Sequence, residues 1–148
     1  MKISVSTGHS LSHPEVDIRC KEKDREVERI ISAVNACNDK ITAKINDEKI
    51  LINPYHVLYF ESVDKKTYVY LKNQVVEVAF RLFEITEANL FFGYVRISKS
   101  MVVNIVHVKK ILKLLNGNLD LAMINGEHVI VSRRFVSDFN RFIHTLVK

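Results

Sequence analysis

Glycine is scarce in this chain, with four in 148 residues, and none of the four stands in a GxxxxGK[ST] or GxGxxG loop of the kind that cradles phosphates. Ser132 likewise lies outside any GxSxG nucleophile turn, so nucleotide-dependent and esterase chemistry both lack sequence support. Cysteine is rarer still: Cys20 and Cys37 repeat no metal-ligand or redox spacing, and two reduced, partly buried thiols are expected. No apolar run approaches the roughly 20 residues that span a bilayer, because the stretch Met101 to Val106 is broken by Asn104 and flanked by Lys99, His107 and Lys109. The first residues, Met1 to Thr7, alternate in polarity without an apolar signal-peptide core, which predicts a strand and a cytoplasmic protein.

Metal and acid–base constellations are also lacking. His9 and His13 are four apart, but Gly8 and Pro14 beside them argue against the helix that would bring both onto one metal, leaving solvated loop histidines. Glu26 and Glu28, two apart on a helix, face different ways and do not form a general acid/base pair. No catalytic residue, metal or cofactor is indicated.

What is present is an ordinary globular composition, 47% hydrophobic and 26% charged, enough for one well-filled body. The formal charge of +5 is unevenly placed: residues 1–40 hold seven basic and seven acidic residues, and residues 41–148 hold fifteen and ten. A basic excess confined to one segment points to an acidic partner, either nucleic acid or an anionic membrane face.

Periodicity divides the chain at the same place. Glu15 to Cys20 alternates as a half-buried strand and is expected to pair with Ile3 and Val5 in a hairpin. From Asp24 onward, Val27, Ile30, Ile31, Val34 and Cys37 recur at three and four, the signature of an amphipathic helix ending near Asn38. A strand–strand–helix unit over residues 1–40 is too small to hold a core alone, so it is expected to dock on the rest or on a second copy.

Beyond Lys40, strands are predicted at 41–45, 49–52, 57–63, 67–71 and 75–80, with turns between them, followed by a short helix over 82–90 closed by Phe91-Phe92-Gly93 and a strand at 94–97. Asn116-Gly117 and Asn125-Gly126 are hairpin turns that join three further strands into a meander. The end returns to helical spacing, Phe135, Phe139, Phe142, Ile143 and Leu146, with Ser132 as its N-cap. No internal repeat is apparent. Tyr55, Tyr59, Tyr68 and Tyr70 would suit a single-strand stacking platform, but their strand context favours cross-strand packing.

Three short loops gather the polar and basic residues: Lys65, Lys66 and Thr67; Ser98, Lys99 and Ser100; Arg133 and Arg134. Phosphate recognition needs cations and hydroxyl or N–H donors together, and base reading needs a rigid Arg, Lys or Asn at a groove edge. These loops hold both kinds.

Around them the sequence resembles a known family. Tyr94-Val95-Arg96-Ile97-Ser98-Lys99-Ser100-Met101-Val102-Val103-Asn104 is similar to the F-x-R-x-H-[KR]-S-[YF]-[LIV]-V-N element of LytTR-type DNA-binding domains. Leu58-Tyr59-Phe60-Glu61-Ser62 resembles the family's I-x-[YF]-[FI]-E/x strand, and Asn125-Gly126 with Val131-Ser132-Arg133-Arg134-Phe135 its N-G…V-S-R-[RK]-[YF] ending. Ser98 stands where the family usually has histidine, and Thr67 where it often has histidine or a larger polar group.

The resemblance implies a mostly β fold with a few helices, LytTR-like stacked small sheets over 41–148, preceded by the N-terminal hairpin and amphipathic helix. It implies a sequence-specific regulator of transcription that reads repeated half-sites of double-stranded DNA through loops in the major groove. Carried over by position, Thr67, Lys99 and Arg133 would contact bases, and Lys65, Lys66, Ser100 and Arg134 phosphates. Arg133 is the strongest base reader, since its planar fork can bond guanine O6 and N7 together. Asn104 is assigned to tying a turn and not to DNA.

Family members commonly follow a receiver domain, for which 40 residues are too few, so the chain is read as a stand-alone member. It would act as a homodimer on DNA, with residues 1–40 aiding association, and a small membrane protein would restrain it. A basic protein-interaction module without nucleic-acid function is the alternative.

Overall fold

The computed structural model describes residues 16–38, 40–87 and 93–146. Of the N-terminal hairpin expected from the sequence, residues 1–15 lie outside the described residues, and residues 16–20 form no strand. Alternation alone does not hold a strand: Val16 is 62% exposed, and Arg19 turns back onto Asp17 at 2.8 Å, so the segment has neither ladder nor core. Cys20 is exposed where a partly buried thiol was expected, while the side chain of Cys37 lies outside the description.

The amphipathic helix is present as α1 (Arg25–Asn38). Asp24 caps it, its Oδ1 accepting from the Val27 N–H at 3.0 Å. Val27, Ile30, Ile31 and Val34 are each half-buried, and the helix lies against the turn at Pro54–His56. Arg29 Nη2 donates to the Leu146 carbonyl at 3.0 Å, which ties α1 to the far end of the chain.

Seven strands make the main sheet: β1 (Ile41–Ile45), β2 (Glu48–Ile52), β3 (Tyr59–Val63), β4 (Lys66–Tyr70), β5 (Val75–Val78), β6 (Tyr94–Arg96) and β7 (Met101–Asn104). Their order is β2-β1-β5-β4-β3-β7-β6, every pair antiparallel. The meander read from the two Asn-Gly turns is a second sheet, β8 (Val108–Lys113), β9 (Leu119–Met123) and β10 (His128–Val131), in the order β10-β9-β8. Helix α2 (Leu82–Glu87) lies between β5 and β6 in the chain, and α3 (Val136–Leu146) follows β10.

Two cores sandwich the main sheet, and adjacent residues in its middle strands serve opposite ones. Phe60 of β3 and Val102 of β7 pack with Leu82 and Ile85 of α2. Their neighbours Tyr59 and Val103 pack with Leu121 and Val131 of the small sheet and Phe139 of α3. Strands buried on both faces read as continuous apolar pairs, which is why Tyr59-Phe60 and Val102-Val103 do not alternate with polar residues. The stacking-platform candidates divide accordingly: Tyr59 is buried with its ring stacked on Tyr70 at 4.3 Å, whereas Tyr55 stays exposed, edge-on to His107.

Several boundaries differ from the sequence reading for one reason. Val57 and Leu58 precede β3 because Pro54–His56 is a 3-10 turn, and Met101–Asn104 is a strand where only a motif was read. A pair of matching devices accounts for both. Asn53-Pro54-Tyr55-His56-Val57 and Asn104-Ile105-Val106-His107-Val108 each leave a strand, cap a 3-10 turn with the asparagine side chain, and enter the next strand. Asn53 Oδ1 accepts from Tyr55 N at 3.0 Å, and Asn104 Oδ1 from Val106 N at 3.2 Å. The sequence thus holds a short repeat, N-x-x-H-V, that inspection for longer repeats passes over.

The two turns lie against each other. Asn104, 1% exposed, donates through Nδ2 to the Val57 carbonyl at 3.0 Å, and its N–H bonds Leu58 O at 2.9 Å. His107 Nε2 donates to Tyr55 O, and the Tyr94 hydroxyl donates to Pro54 O at 2.6 Å. Burial pushes the Tyr94 hydroxyl far above the usual phenol range. The structural role expected of Asn104 is therefore what its surroundings provide.

Candidate nucleic-acid interface

Strand direction gives the molecule two ends. β3 enters from the paired turns and leaves toward Asp64-Lys65; β7 runs the other way, and β10 ends beside Ile97. One end therefore carries the turns and the C-terminal part of α3. The opposite end carries four chain segments: Asp64-Lys65, Ser98–Ser100, Asn116–Asn118 and Ser132–Arg134.

Those four are fastened to one another by hydrogen bonds. Ser62 N–H, in β3 two residues before the first loop, donates to Ser100 O at 2.8 Å and anchors the second loop to the strand that leads into the first. Ser132 N–H donates to Ile97 O at 2.8 Å, joining the second to the third. Arg133 N–H donates to Asn118 Oδ1 at 2.8 Å, which adds the β8–β9 turn. The three loops of the sequence reading do share one edge, and a fourth segment belongs with them.

Within this edge the Ser98–Ser100 loop is internally clamped. Arg96, at the end of β6, donates through Nε to Ser98 O at 3.1 Å and through Nη2 to Lys99 O at 2.7 Å. Ser98 Oγ accepts from the Ser100 N–H at 3.1 Å. A planar guanidinium bridging two successive carbonyls fixes the loop backbone, and a charged donor makes such bonds stronger than neutral ones. Lys99 is thereby presented outward on a rigid support.

The first loop is a tight turn imposed by the pairing of β3 and β4 on either side of it. Asp64 and Lys65 form a two-residue hairpin with φ of 50° and 66°, the left-handed pair that matches strand twist but that lysine adopts at a cost. Lys65 stands exposed at its tip.

The third loop differs from the expected N-capped helix. Arg133–Phe135 is a 3-10 turn preceding α3, and Ser132 makes no side-chain cap bond; its backbone is occupied with Ile97 instead. Arg133 and Arg134 thus project from a tight turn and not from an α-helical first turn, and both are exposed.

Lys65, Lys99, Arg133 and Arg134 have no ion-pair partner among the described residues. Lys66 differs: its Nζ lies 2.9 Å from Glu77 Oε2, and that hydrogen bond, with the attraction to the same carboxylate, raises its pKa above the ordinary lysine value. Ser100 is exposed on the clamped loop. Thr67 departs from the sequence reading. At 4% exposed it faces the interior of β4 on the side of Val69, so the structure does not bring it to the surface with Lys99 and Arg133. Register explains this, since Lys66 and Thr67 are neighbours in a strand and point to opposite faces.

Sequence reasoning missed Arg96 and Asn118, which act on the loops and not outward. Arg96 stood inside the quoted motif, but its pairing with carbonyls two and three residues on is not a sequence pattern. Asn118 carried only its place after an Asn-Gly turn.

The family model for the LytTr DNA-binding domain matches residues 47–144, about two thirds of the chain, including all four segments of this edge. An uncharacterized HTH-type transcriptional regulator of Staphylococcus aureus strain MRSA252 is 29% identical over 138 residues, 92% of this chain and 93% of the relative. Its counterpart in strain NCTC 8325 / PS 47 is 28% identical over the same length. A solved LytTr DNA-binding domain from Bacillus cereus superposes with a TM-score of 0.65 at 32% identity, covering 70% of this chain and 95% of that one. Among the described residues no two helices are joined by a short turn, because α1, α2 and α3 are separated by strands. The mostly β fold, the fastened loop edge and the extent of these matches lead to one conclusion: the chain belongs to the LytTr DNA-binding domain family.

Proposed function

We propose that this protein is a sequence-specific regulator of transcription that binds double-stranded DNA through its fastened loop edge. Lys99 and Arg133 read bases in the major groove of repeated half-sites, and Lys65, Lys66, Ser100 and Arg134 hold phosphates. Thr67, buried, supports the first loop from beneath. The observation that carries the reading is the coincidence, on one edge, of four cations without ion-pair partners among the described residues and loops already ordered by their own hydrogen bonds. Ordering costs that a flexible loop would meet on binding are met here in folding.

Residues 41–148 are the DNA-binding unit in this proposal, and residues 1–40 an extension that helps two copies associate. α1 lies at the end away from the loop edge, so pairing there leaves the DNA contacts free. The relatives' names support regulation of transcription; the family resemblance alone supports action in the cytoplasm, without catalysis, and restraint by a small membrane protein. No helix among the described residues is long and apolar enough to cross a membrane.

The test is a salt titration of fluorescence anisotropy on random duplex, random single strand and a duplex pool selected by the protein. The expected result is a log–log salt dependence of about 0.9 per neutralised phosphate, with far tighter binding to the selected pool. Absent binding, or preference for single strands, overturns the proposal; binding only to an acidic protein moves the loops to the interaction-module reading.

A further inference from the structure

The fourth segment of the loop edge has no role in the reading above beyond holding Arg133, yet it carries an anomaly. Leu115, at the tip between β8 and β9, is 110% exposed, as open as a residue in a free peptide. Turn tips are ordinarily polar, and the other exposed leucines among the described residues, Leu51 at 69% and Leu112 at 51%, are partly covered by their strands.

The tip is rigid and cannot move independently of the third loop. Leu114 N–H donates to Asn118 O at 2.9 Å and Gly117 N–H to Leu114 O at 3.1 Å, closing the turn. Asn118 N–H bonds Asn116 Oδ1 at 3.1 Å, while Asn118 Oδ1 accepts from Arg133. Gly117 has φ of 84°, and a Cβ on it would lie 3.2 Å from Arg133 Cδ. The positive φ is what favours glycine here, and the arginine stem packs closely over it. Lys113, at the end of β8 leading into the tip, is exposed and has no ion-pair partner among the described residues.

A bare leucine locked beside the strongest base-reading candidate, with a free lysine two residues before it, matches the two chemistries a DNA groove offers. A thymine methyl takes an apolar side chain, and the phosphate backbone takes a cation. We propose that the β8–β9 tip is a fourth DNA-contacting element, in which Leu115 packs on a thymine methyl next to the base pair read by Arg133 and Lys113 holds a flanking phosphate. The inference rests on the DNA-binding reading and extends it. Its occupant is the duplex and not a protein, because the tip is continuous with the basic edge.

The experiment compares the full-length wild type with Leu115→Ser, Lys113→Ala and Arg134→Ala on random duplex and on the pool selected by the wild type, with thermal melts of each. Leu115→Ser is expected to melt like the wild type, to lose about tenfold in affinity for the selected pool, as fits one exposed leucine buried on binding, and to bind random duplex unchanged. Reselection with that variant should lose the preference at one thymine position. Lys113→Ala should weaken both pools alike and lower the salt slope by about 0.9. If Leu115→Ser binds the selected pool as the wild type does while Arg134→Ala is weakened, the tip is idle and the inference falls with the DNA reading intact. An unchanged slope in Lys113→Ala removes that residue's part. If the wild type itself shows no duplex binding, the functional reading fails first.

Discussion

The two ends of the sheet are built with the same materials to opposite effect. At the end of the paired turns, Asn104, His107 and Tyr94 turn their polar groups onto backbone carbonyls and are buried with them. At the loop end the backbone is tied just as thoroughly, but by Arg96, Ser98 and Asn118, and the charged heads of Lys65, Lys99, Arg133 and Arg134 point to water. A buried polar group stabilises a fold only when its bonds are complete, and a binding group is useful only when its bonds are not. The comparison separates residues whose loss should unfold the protein from residues whose loss should silence it.

Substitution at the closed end should have the largest effect. Asn104→Ala strips partners from the Val57 carbonyl and the Val106 N–H inside the molecule, and denaturant unfolding should show a loss of about 3 kcal/mol. Duplex affinity of the fraction still folded should be unchanged.

At the open end the expectation reverses. Arg133→Ala should cost about 1–3 kcal/mol of binding to a selected duplex and relax preference at one position, measured by anisotropy and reselection. Its unfolding free energy should stay within about 0.5 kcal/mol of the wild type, as for exposed positions generally.

Arg96→Met tests the link between the ends, being half-buried yet acting on an exposed loop. The loss of two bonds to carbonyls should lower stability by about 1–2 kcal/mol. The discriminating readout is specificity: the ratio of selected to random affinity should fall while the salt slope holds, because no phosphate contact is removed.

Lys65→Gly should move stability and binding in opposite directions. Relief of the left-handed φ is expected to raise stability by about 1 kcal/mol, while one lost phosphate contact lowers the salt slope by about 0.9. A smaller effect concerns Tyr70, the last residue of β4. Its hydroxyl donates to Glu61 Oε2 at 2.7 Å, and that bond, with burial, pushes its pKa up to about 12. Because the folded value lies above the unfolded one, the stability it contributes is complete below about pH 10 and fades as pH rises toward 12. Glu61→Gln should bring tyrosinate absorbance in at lower pH.

Much of this was legible in residue order because it depends on near neighbours. Asn116-Gly117 and Asn125-Gly126 made hairpins, the alternation of Leu119, Leu121 and Met123 made a strand, and three-and-four spacing made α1 and α3. The second strand expected of the N-terminal hairpin did not follow from the same measure, since residues 16–20 alternate but form no strand, while residues 1–15 lie outside the described residues. Thr67 failed because both faces of β4 look plausible in sequence: Thr67 and Val69 could have faced solvent as well as Tyr68 and Tyr70. Only the packing of Val69 with Phe60 in the core on the α2 face settled which side was inside.

The sequence by itself determined the family, the β-rich body and the basic character of the loops, since turn chemistry, period and charge are properties of short stretches. The tertiary structure alone decided which loops meet and which residues fasten them. Asn118 reaches Arg133 across fifteen positions and Asn104 reaches Val57 across forty-seven. Contacts at such separations come from which strands pair within each sheet, and no local pattern encodes that distance.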